Sequence, residues 1–173
     1  AAQDRLVDSL GSMLASRDGM VRGFAMFALR DIGRPELVTQ DVWLRGFGDR
    51  NPRVRELAVS YAQWMERVPR AVVDALRRAI RDDDPDVAVW ACLVLDRAGT
   101  FRPGDAAALL RLVRSPRVHR EWKPLLIGYI GQLGGAARGA LPTLSELSFH
   151  PDEEIAAAAG SAAARIRLAV TGG

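Results

Sequence analysis

Two histidines and one cysteine are the side chains best suited to acid–base or nucleophilic chemistry: His119, His150 and Cys92. His150 precedes a proline at a predicted helix start, which favours a capping role. His119 lies among arginines and has no evident catalytic partner in the sequence. Cys92 has apolar neighbours and no histidine near it in the sequence, so we expect a packed side chain. The sequence therefore predicts no catalytic residue, no metal site and no cofactor.

Two charged clusters could bind ions. Asp82, Asp83 and Asp84 fit a helix N-terminus, where free amides favour acidic side chains. The second cluster is the strongest anion-binding candidate and contains five cations, namely Arg111, Arg114, Arg117, Arg120 and Lys123. It is suited to phosphate or an acidic partner. The alternative is a solvated helix corner whose arginine stems cover apolar surface.

The overall charge argues against a uniformly cationic surface. The 24 basic and 21 acidic residues leave a net charge of +3, and the two signs are interspersed along the chain. A nucleic-acid-binding surface is therefore not predicted by charge alone.

One cysteine allows no intramolecular disulfide, which suits a cytoplasmic protein. No apolar run in the sequence is long enough to cross a membrane.

A repeat of about 33 residues indicates which elements position these groups. The equivalent anchors are spaced by 33, 33, 35 and 33 residues, at Val21, Val54, Val87, Trp122 and Ile155. Apolar residues recur 4, 8 and 11 positions after each anchor, which is one face of an α-helix. Asn-Pro, Asp-Pro or His-Pro pairs precede three of these helices, and Gly33, Gly99 and Gly134 follow three of them.

A second amphipathic segment precedes each anchored helix, so each repeat is predicted to be a helical hairpin. The repeats span about 3–33, 36–66, 70–99, 104–134 and 138–168. We expect ten helices, at about 3–16, 19–32, 36–48, 52–66, 70–82, 85–98, 104–114, 120–133, 138–149 and 152–168. No segment has the period-two alternation of a strand.

Three segments carry a family resemblance: DGMVRGFAMFALRDIG (18–33), NPRVRELAVSYAQWM (51–65) and DPDVAVWACLVLDRAG (84–99). They resemble the HEAT-repeat family, in particular the short bacterial repeats found in phycobilin lyases. The resemblance implies an all-α fold, an α-solenoid of five HEAT-like hairpins in a single domain over 1–173. It also implies a ladder between neighbouring repeats, from the cap residue and the arginine after the anchor, matched here by Asp18 with Arg22 and Asn51 with Arg55. The third and fifth repeats carry Ala88 and Ala156 instead of that arginine.

Some HEAT-like proteins are enzymes, and those alternatives are weaker. Iron-binding hydroxylases carry His-Glu pairs, and no His-Glu dipeptide occurs here. A DNA glycosylase would need aromatic and acidic residues on a basic track, with Trp64 and Asp96 as the nominal candidates. Trp43 and Trp122 lie on apolar helix faces. Trp90 occupies the same position in its repeat as Phe24, Leu57 and Leu125. All three tryptophans are therefore predicted to belong to the core. Only Trp64 is predicted to be exposed.

The second helix of each hairpin is expected to line the concave side of a solenoid. Residues two, six and ten positions past the anchors would then form an apolar strip of Phe27, Trp64, Val89 and Leu93, flanked by Arg97 and Gln132. We interpret this strip as a protein-binding groove. The alternative is a solenoid so tightly curled that these residues contact one another.

The sequence as a whole predicts a cytoplasmic, bacterial, non-enzymatic scaffold that binds an unidentified partner protein. A nucleic-acid-binding protein that uses the cationic cluster is the alternative, with a glycosylase or lyase third.

The last helix is mostly alanine on every side, although an end repeat normally has a polar outer face. We therefore expect a further repeat, a following domain or a second chain to cover it, in a segment of a longer protein.

Overall fold

Ten α-helices and no strand make up residues 2–171, which are the residues that the computed structural model describes. The helices are α1 (Ala2–Met13), α2 (Gly19–Ile32), α3 (Gln40–Phe47), α4 (Pro52–Ala62), α5 (Arg70–Ala79), α6 (Pro85–Arg97), α7 (Ala106–Arg114), α8 (Lys123–Gln132), α9 (Leu141–Leu147) and α10 (Glu153–Thr171). Short 3-10 helices lie at Pro35–Leu37, Pro103–Asp105, Arg120–Trp122 and Gly134–Ala140. The all-α repeat class and the helical pairing predicted from the sequence are confirmed. No helix among residues 2–171 is both long and apolar enough to cross a bilayer.

Three of the predicted start signals and all three glycine stop signals act as expected. The side chains of Asp18, Asn51 and Asp84 accept hydrogen bonds from backbone amides two residues later, at 2.8, 3.0 and 3.0 Å. Each cap satisfies an amide that the first turn leaves without a helical partner. Gly33, Gly99 and Gly134 adopt the left-handed conformation that ends a helix, with φ of 67°, 60° and 55°.

Several helices are shorter than the sequence predicts: α1 and α5 each end three residues early, at Met13 and Ala79, and α3 begins four residues late, at Gln40. The differences at α4 and α9 change the most structure. The α-helical part of α4 ends at Ala62, four residues before its predicted end, and the chain then turns through Gln63 and Trp64. The helix predicted over 138–149 is confined to α9, because a 3-10 helix occupies Gly134–Ala140 and contains a kink at Ala137.

The chain divides into two compact units, residues 1–100 and 101–173. In the first unit α4 packs against α2, α3 and α6, while α5 packs against α3 and α6. The core of this unit includes Met26, Leu29, Tyr61, Leu76 and Leu95. In the second unit α8 packs against α7 and α10 around Leu109, Leu126, Ile130, Leu144 and Ile166. The single-domain interpretation stays a prediction.

A ladder of ion pairs joins neighbouring repeats in the first unit, but its acidic members differ from those the sequence suggested. The Arg22 guanidinium makes two hydrogen bonds to the Asp49 carboxylate, at 2.6 and 2.9 Å. Arg55 makes the same pair with Asp82, at 2.7 and 2.7 Å. Asp18 and Asn51 are occupied in capping their own helices, so the residue two positions before the next cap supplies the carboxylate instead.

Each ladder residue also fixes the backbone of an interrepeat loop. Arg22 donates a third hydrogen bond to the Ser16 carbonyl at 3.0 Å, and Arg55 donates one to the Asp49 carbonyl at 2.8 Å. The Asp49 carboxylate accepts the Asn51 amide at 2.8 Å. Burial of Asp49 raises the pKa of its carboxyl group, but the hydrogen bonds from Arg22 and from the Asn51 amide outweigh it and hold the pKa below its usual value.

His150 is not the cap that the sequence suggested. Asp152 caps α10, accepting the Glu154 and Ile155 amides at 3.1 and 3.3 Å. The His150 Nδ1 atom accepts the Asp152 amide at 3.0 Å, as Asp49 and Asp82 accept the amides two residues after them. His150 therefore occupies the ladder's acidic position, which requires Nδ1 to be unprotonated.

In the fourth repeat, a capping residue stands several positions before the helix that it would be expected to start. Ser115 Oγ accepts the Arg117 amide at 3.2 Å, as a capping side chain does, and Val118 is buried. The chain nevertheless turns there, forms a 3-10 helix at Arg120–Trp122 and enters α8 at Lys123. The predicted start near residue 120 is confirmed, while the anchor Trp122 is only half-buried.

We expect Gly46→Ala to destabilise the first unit by about 1 to 3 kcal/mol, because overpacking displaces neighbouring atoms. A Cβ atom at Gly46 would lie 2.7 Å from the Ala58 Cβ atom and 3.3 Å from the Met26 sulfur. Gly128→Ala is the control, since a Cβ atom there meets nothing within 4 Å. The control should stabilise α8 by about 0.5 to 1 kcal/mol. Urea denaturation measures both changes, and equal effects would contradict the packing of α3 on α4.

Candidate partner-binding site

The predicted strip is only partly a surface. Phe27 and Trp64 are exposed, with 47% and 66% of their surfaces accessible. Val89 is only 3% exposed, so its predicted place on the strip is wrong. It lies in the middle of α6, which packs against both α4 and α5. Leu93 is half-buried and Arg97 is exposed. Gln132, the remaining member, is exposed on α8 in the second unit.

A cleft of about 1110 Å³ lies beside Trp64 in the first unit. Its walls come from the end of α2, the 33–38 turn, the start of α3, the second half of α4 and the 63–69 loop. Trp43, Trp64 and Trp90 are its aromatic residues. Sequence periodicity identified Trp64 as exposed but gave no signal for this cleft, because two interhelical turns form much of its wall.

The early end of α4 exposes the Trp64 indole. Beyond Ala62 the backbone tightens, and the Trp64 and Met65 amides donate to the Tyr61 and Ala62 carbonyls at 3.0 and 3.2 Å. Met65 turns into the core, whereas the Trp64 side chain remains outside it. The first unit thus places a large apolar side chain in contact with water beside a concave surface.

Trp43 supports the cleft from below and is only 1% exposed. Its ring centroid lies 4.9 Å from that of Tyr61 and 6.0 Å from that of Phe47. Its Nε1 atom makes no hydrogen bond within the described part of the chain. Burial raises the pKa of the Tyr61 hydroxyl to about 12, so it stays protonated under physiological conditions.

Three carboxylates and two guanidinium groups line the same cleft: Glu36, Glu56, Glu66, Arg30 and Arg67. Glu56 pairs with Arg53 at 2.5 Å, and Glu36 pairs with Arg34. The hydrogen bond from Arg34 lowers the pKa of the Glu36 carboxyl group. Glu66 makes no ion pair among the described residues, so its charge faces solvent beside Trp64.

The two exposed aromatic residues of the strip differ in their surroundings. The Arg30 guanidinium carbon lies 4.7 Å from the centroid of the Phe27 ring, in a cation–π contact. Arg30 follows Phe27 by three residues, and Arg67 follows Trp64 by three residues as well. Because α4 has already ended before Trp64, Arg67 does not form a cation–π contact with the Trp64 ring. The Trp64 ring thus has no aromatic or cation–π contact within residues 2–171.

The cationic cluster predicted at the fourth repeat lies wholly in the second unit. Arg111, Arg114, Arg117 and Arg120 are exposed, and Lys123 is half-buried. Arg114 donates a hydrogen bond to the Thr143 hydroxyl, and Arg120 lies 3.6 Å from Asp152. The first unit has fifteen arginines and fifteen carboxylates, whereas the second has nine basic and six acidic residues. The whole net charge of +3 therefore belongs to the second unit.

The residues considered for chemistry do not converge on one site. Cys92 is fully buried, as predicted. His119 is exposed, with Nδ1 lying 3.6 Å from the Glu121 carboxylate. Among residues 2–171 no three histidine, cysteine or acidic side chains are arranged to hold a metal ion.

Trp90 shares its position in the repeat with Phe24, Leu57 and Leu125. This position is buried in some repeats and exposed in others. Leu57 is buried there and Trp90 is half-buried, but Phe24 and Leu125 are 65% and 38% exposed. Phe24 is exposed at this position because the helices packed against α2, namely α1 and α4, do not cover it. The prediction that Trp90 belongs to the core is therefore only partly met. Phe24 does not line the Trp64 cleft, which makes it a useful control for exposed aromatic surface.

The family model described as HEAT repeats matches residues 41–122. The matched range contains α4, α5, α6 and α7, together with the Arg55–Asp82 pair, Trp64 and Trp90. No curated protein matches the sequence. The match assigns the repeat type on grounds independent of the packing and the ladder described above.

Proposed function

Because this chain belongs to the HEAT-repeat family, we propose that it is a non-enzymatic scaffold that binds a partner protein in the cleft beside Trp64. HEAT repeats commonly serve as protein-interaction scaffolds, and the repeat type alone names neither the partner nor the face that binds it. The observation that carries this proposal is the exposed Trp64 indole at the edge of a large cleft in a well-packed unit.

The composition of the cleft resembles that of a protein interface. Tryptophan and arginine are enriched among the residues that dominate binding energy, and a charged rim normally surrounds them. Trp64 and the half-buried Trp90 supply apolar surface, while Glu56, Glu66 and Arg67 supply the polar rim. Phe27, Leu93 and Arg97 extend the proposed surface within the first unit. Gln132 remains a proposed contact of the second unit.

We expect Trp64→Ala to abolish or strongly reduce partner capture. The native chain, Trp64→Ala and Phe24→Ala are used as baits on the same cell lysate, and the eluates are compared by quantitative mass spectrometry. Phe24→Ala removes an aromatic ring of nearly equal exposure, 65% against 66%, from outside the cleft. Both substitutions are at exposed positions and should change the free energy of unfolding little.

A protein that is retained by the native chain and by Phe24→Ala, but lost from Trp64→Ala, would support the cleft as the binding site. Equal recovery from all three baits would contradict it. Circular dichroism and the denaturation midpoint of each bait show that any loss does not come from unfolding. Cytoplasmic location and coverage of α10 by another repeat, domain or chain remain part of this proposal.

Nucleic-acid binding is the second candidate, and the charge division favours the second unit for it. Phosphate contacts make binding fall steeply with salt concentration. If the cluster of Arg111, Arg114, Arg117, Arg120 and Lys123 acts in this way, duplex DNA should bind the native chain at low salt and be released at high salt. Arg111→Glu with Arg117→Glu should abolish that binding, and salt-independent or unchanged binding would exclude this use of the cluster.

A further inference from the structure

We infer that Trp64 receives a cationic side chain, arginine or lysine, from a basic segment of the partner protein. The inference rests on the proposed function, since it names the chemistry of a partner bound in the same cleft. Three observations carry it: the open face of the Trp64 ring, the carboxylates beside it and the electrostatic character of the end of α4.

The open ring is the first observation. Phe27, the other exposed aromatic residue of the predicted strip, already has a cation over its ring at 4.7 Å, supplied by Arg30. Trp64 has no such contact within the described residues and is 66% exposed. Indole is the aromatic ring with the strongest attraction for a cation. An external guanidinium or ammonium group would make at Trp64 the contact that Arg30 makes at Phe27.

The carboxylates are the second observation. Glu66 lines the cleft two residues after Trp64 and makes no ion pair within residues 2–171. Glu56 uses its Oε2 atom for Arg53 at 2.5 Å, which leaves its Oε1 atom available to a ligand. A cation over the Trp64 ring could therefore receive charge-assisted hydrogen bonds from this wall of the cleft.

The end of α4 is the third observation. The last carbonyls of a helix carry partial negative charge, and the Ala62 carbonyl already accepts a hydrogen bond from the Arg97 guanidinium at 3.4 Å. Five cations of the chain lie in the cleft wall or against it, namely Arg30, Arg34, Arg53, Arg67 and Arg97. Arg34 and Arg53 are paired with Glu36 and Glu56. Arg30 is held by Phe27 and Arg97 by Ala62, so Arg67 is the principal competitor for the ligand.

Long-range repulsion does not oppose this binding. The first unit has equal numbers of basic and acidic residues, and the net charge of +3 lies in the second unit. Screening at physiological salt limits the effect of distant charges to about 8 Å. The immediate surroundings of Trp64 therefore decide which ligand charge is favoured. There the open indole ring and the Glu66 carboxylate, which makes no ion pair among the described residues, favour a cation.

The test is a titration of the full chain with fluorescein-labelled nonapeptides, followed by fluorescence anisotropy at physiological salt. Three peptides of equal length carry four arginines, four glutamates or four asparagines, each separated by alanine. We expect the arginine peptide to bind and the other two to bind at least about tenfold more weakly. Trp64→Ala and Glu66→Lys should each weaken binding of the arginine peptide by about fivefold or more.

The controls separate this site from general attraction. Phe24→Ala should bind the arginine peptide as the native chain does, and Arg67→Ala should bind it more tightly because a competing cation is removed. No preference among the three peptides would overturn the inference, as would equal binding by Trp64→Ala and native protein. If the captured partner is lost from Trp64→Ala but retained by Glu66→Lys, the cleft still binds a partner and the cationic assignment is wrong. A partner retained by Trp64→Ala contradicts the proposed function itself.

Discussion

Asp49→Ala should destabilise the first unit by about 3 kcal/mol, because it leaves a buried guanidinium without its carboxylate. The side chains of Arg22 and Asp49 are only 6% and 7% exposed, and both oxygens of Asp49 accept hydrogen bonds from Arg22. The substitution also removes the acceptor of the Asn51 amide, which lies before α4. Urea denaturation followed by circular dichroism measures the loss.

Asp31→Ala is the matched control for this effect. Asp31 is an exposed carboxylate near the end of α2 and makes no ion pair among the described residues. Its replacement should change the free energy of unfolding by no more than about 0.5 kcal/mol. If Asp49→Ala were as mild as its control, the ladder would be a surface contact rather than a structural connection between repeats.

The pH dependence of stability offers a second test of the same pair. The folded state holds the pKa of Asp49 below its usual value of 3.8, so the stabilisation is fully present above that value. It is lost as pH falls through the lower folded value, because the unfolded state then binds the proton more readily. Asp49→Ala should therefore lose less stability than the native chain does as the pH falls from about 5 to about 2.

Trp43→Ala should cost about 3 to 5 kcal/mol, since it empties a large buried site that supports the Trp64 cleft. Trp43 packs on Tyr61 at 4.9 Å and on Phe47 at 6.0 Å. Trp43→Phe should cost less than about 1.5 kcal/mol, because it keeps most of the apolar volume and removes an indole N–H that has no hydrogen-bond partner among the described residues.

The contrast between the two replacements is the informative result. Large and equal losses for Trp43→Ala and Trp43→Phe would show that the Nε1 atom makes a hydrogen bond that stabilises the fold. Denaturation midpoints give the comparison, and partner capture by Trp43→Phe shows whether the cleft keeps its shape. We expect Trp43→Phe to retain the partner, because Trp64 and Glu66 are unchanged.

Three helix starts and two helix ends were predictable because short side-chain rules determine them. Asp18, Asn51 and Asp84 each satisfy an amide two residues later, a local interaction that spacing alone reveals. Gly33 and Gly99 end their helices for an equally local reason. The repeat period then placed these helices in pairs, which is sufficient to identify the fold class.

The ladder partners were mispredicted because two acceptors near each helix start compete for the same arginine. The cap residue is already bonded to its own helix, so Arg22 and Arg55 take Asp49 and Asp82 instead. A signal was present in the sequence: the two pairs have the same separation of 27 residues. Lys123 of the fourth repeat and His150 of the fifth have the same separation, and there an imidazole stands at the acidic position.

The candidate site was only half predictable. The exposure of Trp64 followed from its position in the repeat, but the burial of Val89 depends on how α4 and α5 both pack against α6. The cleft itself depends on the early end of α4 and on the 33–38 and 63–69 turns. Turn geometry follows from tertiary packing, which helical periodicity does not encode.

Hydrogen–deuterium exchange of the full chain, with and without its captured partner, tests the central claim most directly. Binding in the cleft beside Trp64 should slow exchange in residues 33–38 and 63–69, whose amides border the cleft, and leave residues 111–123 unchanged. Protection of residues 111–123 with no change at 63–69 would contradict that claim and assign binding to the cationic cluster of the second unit.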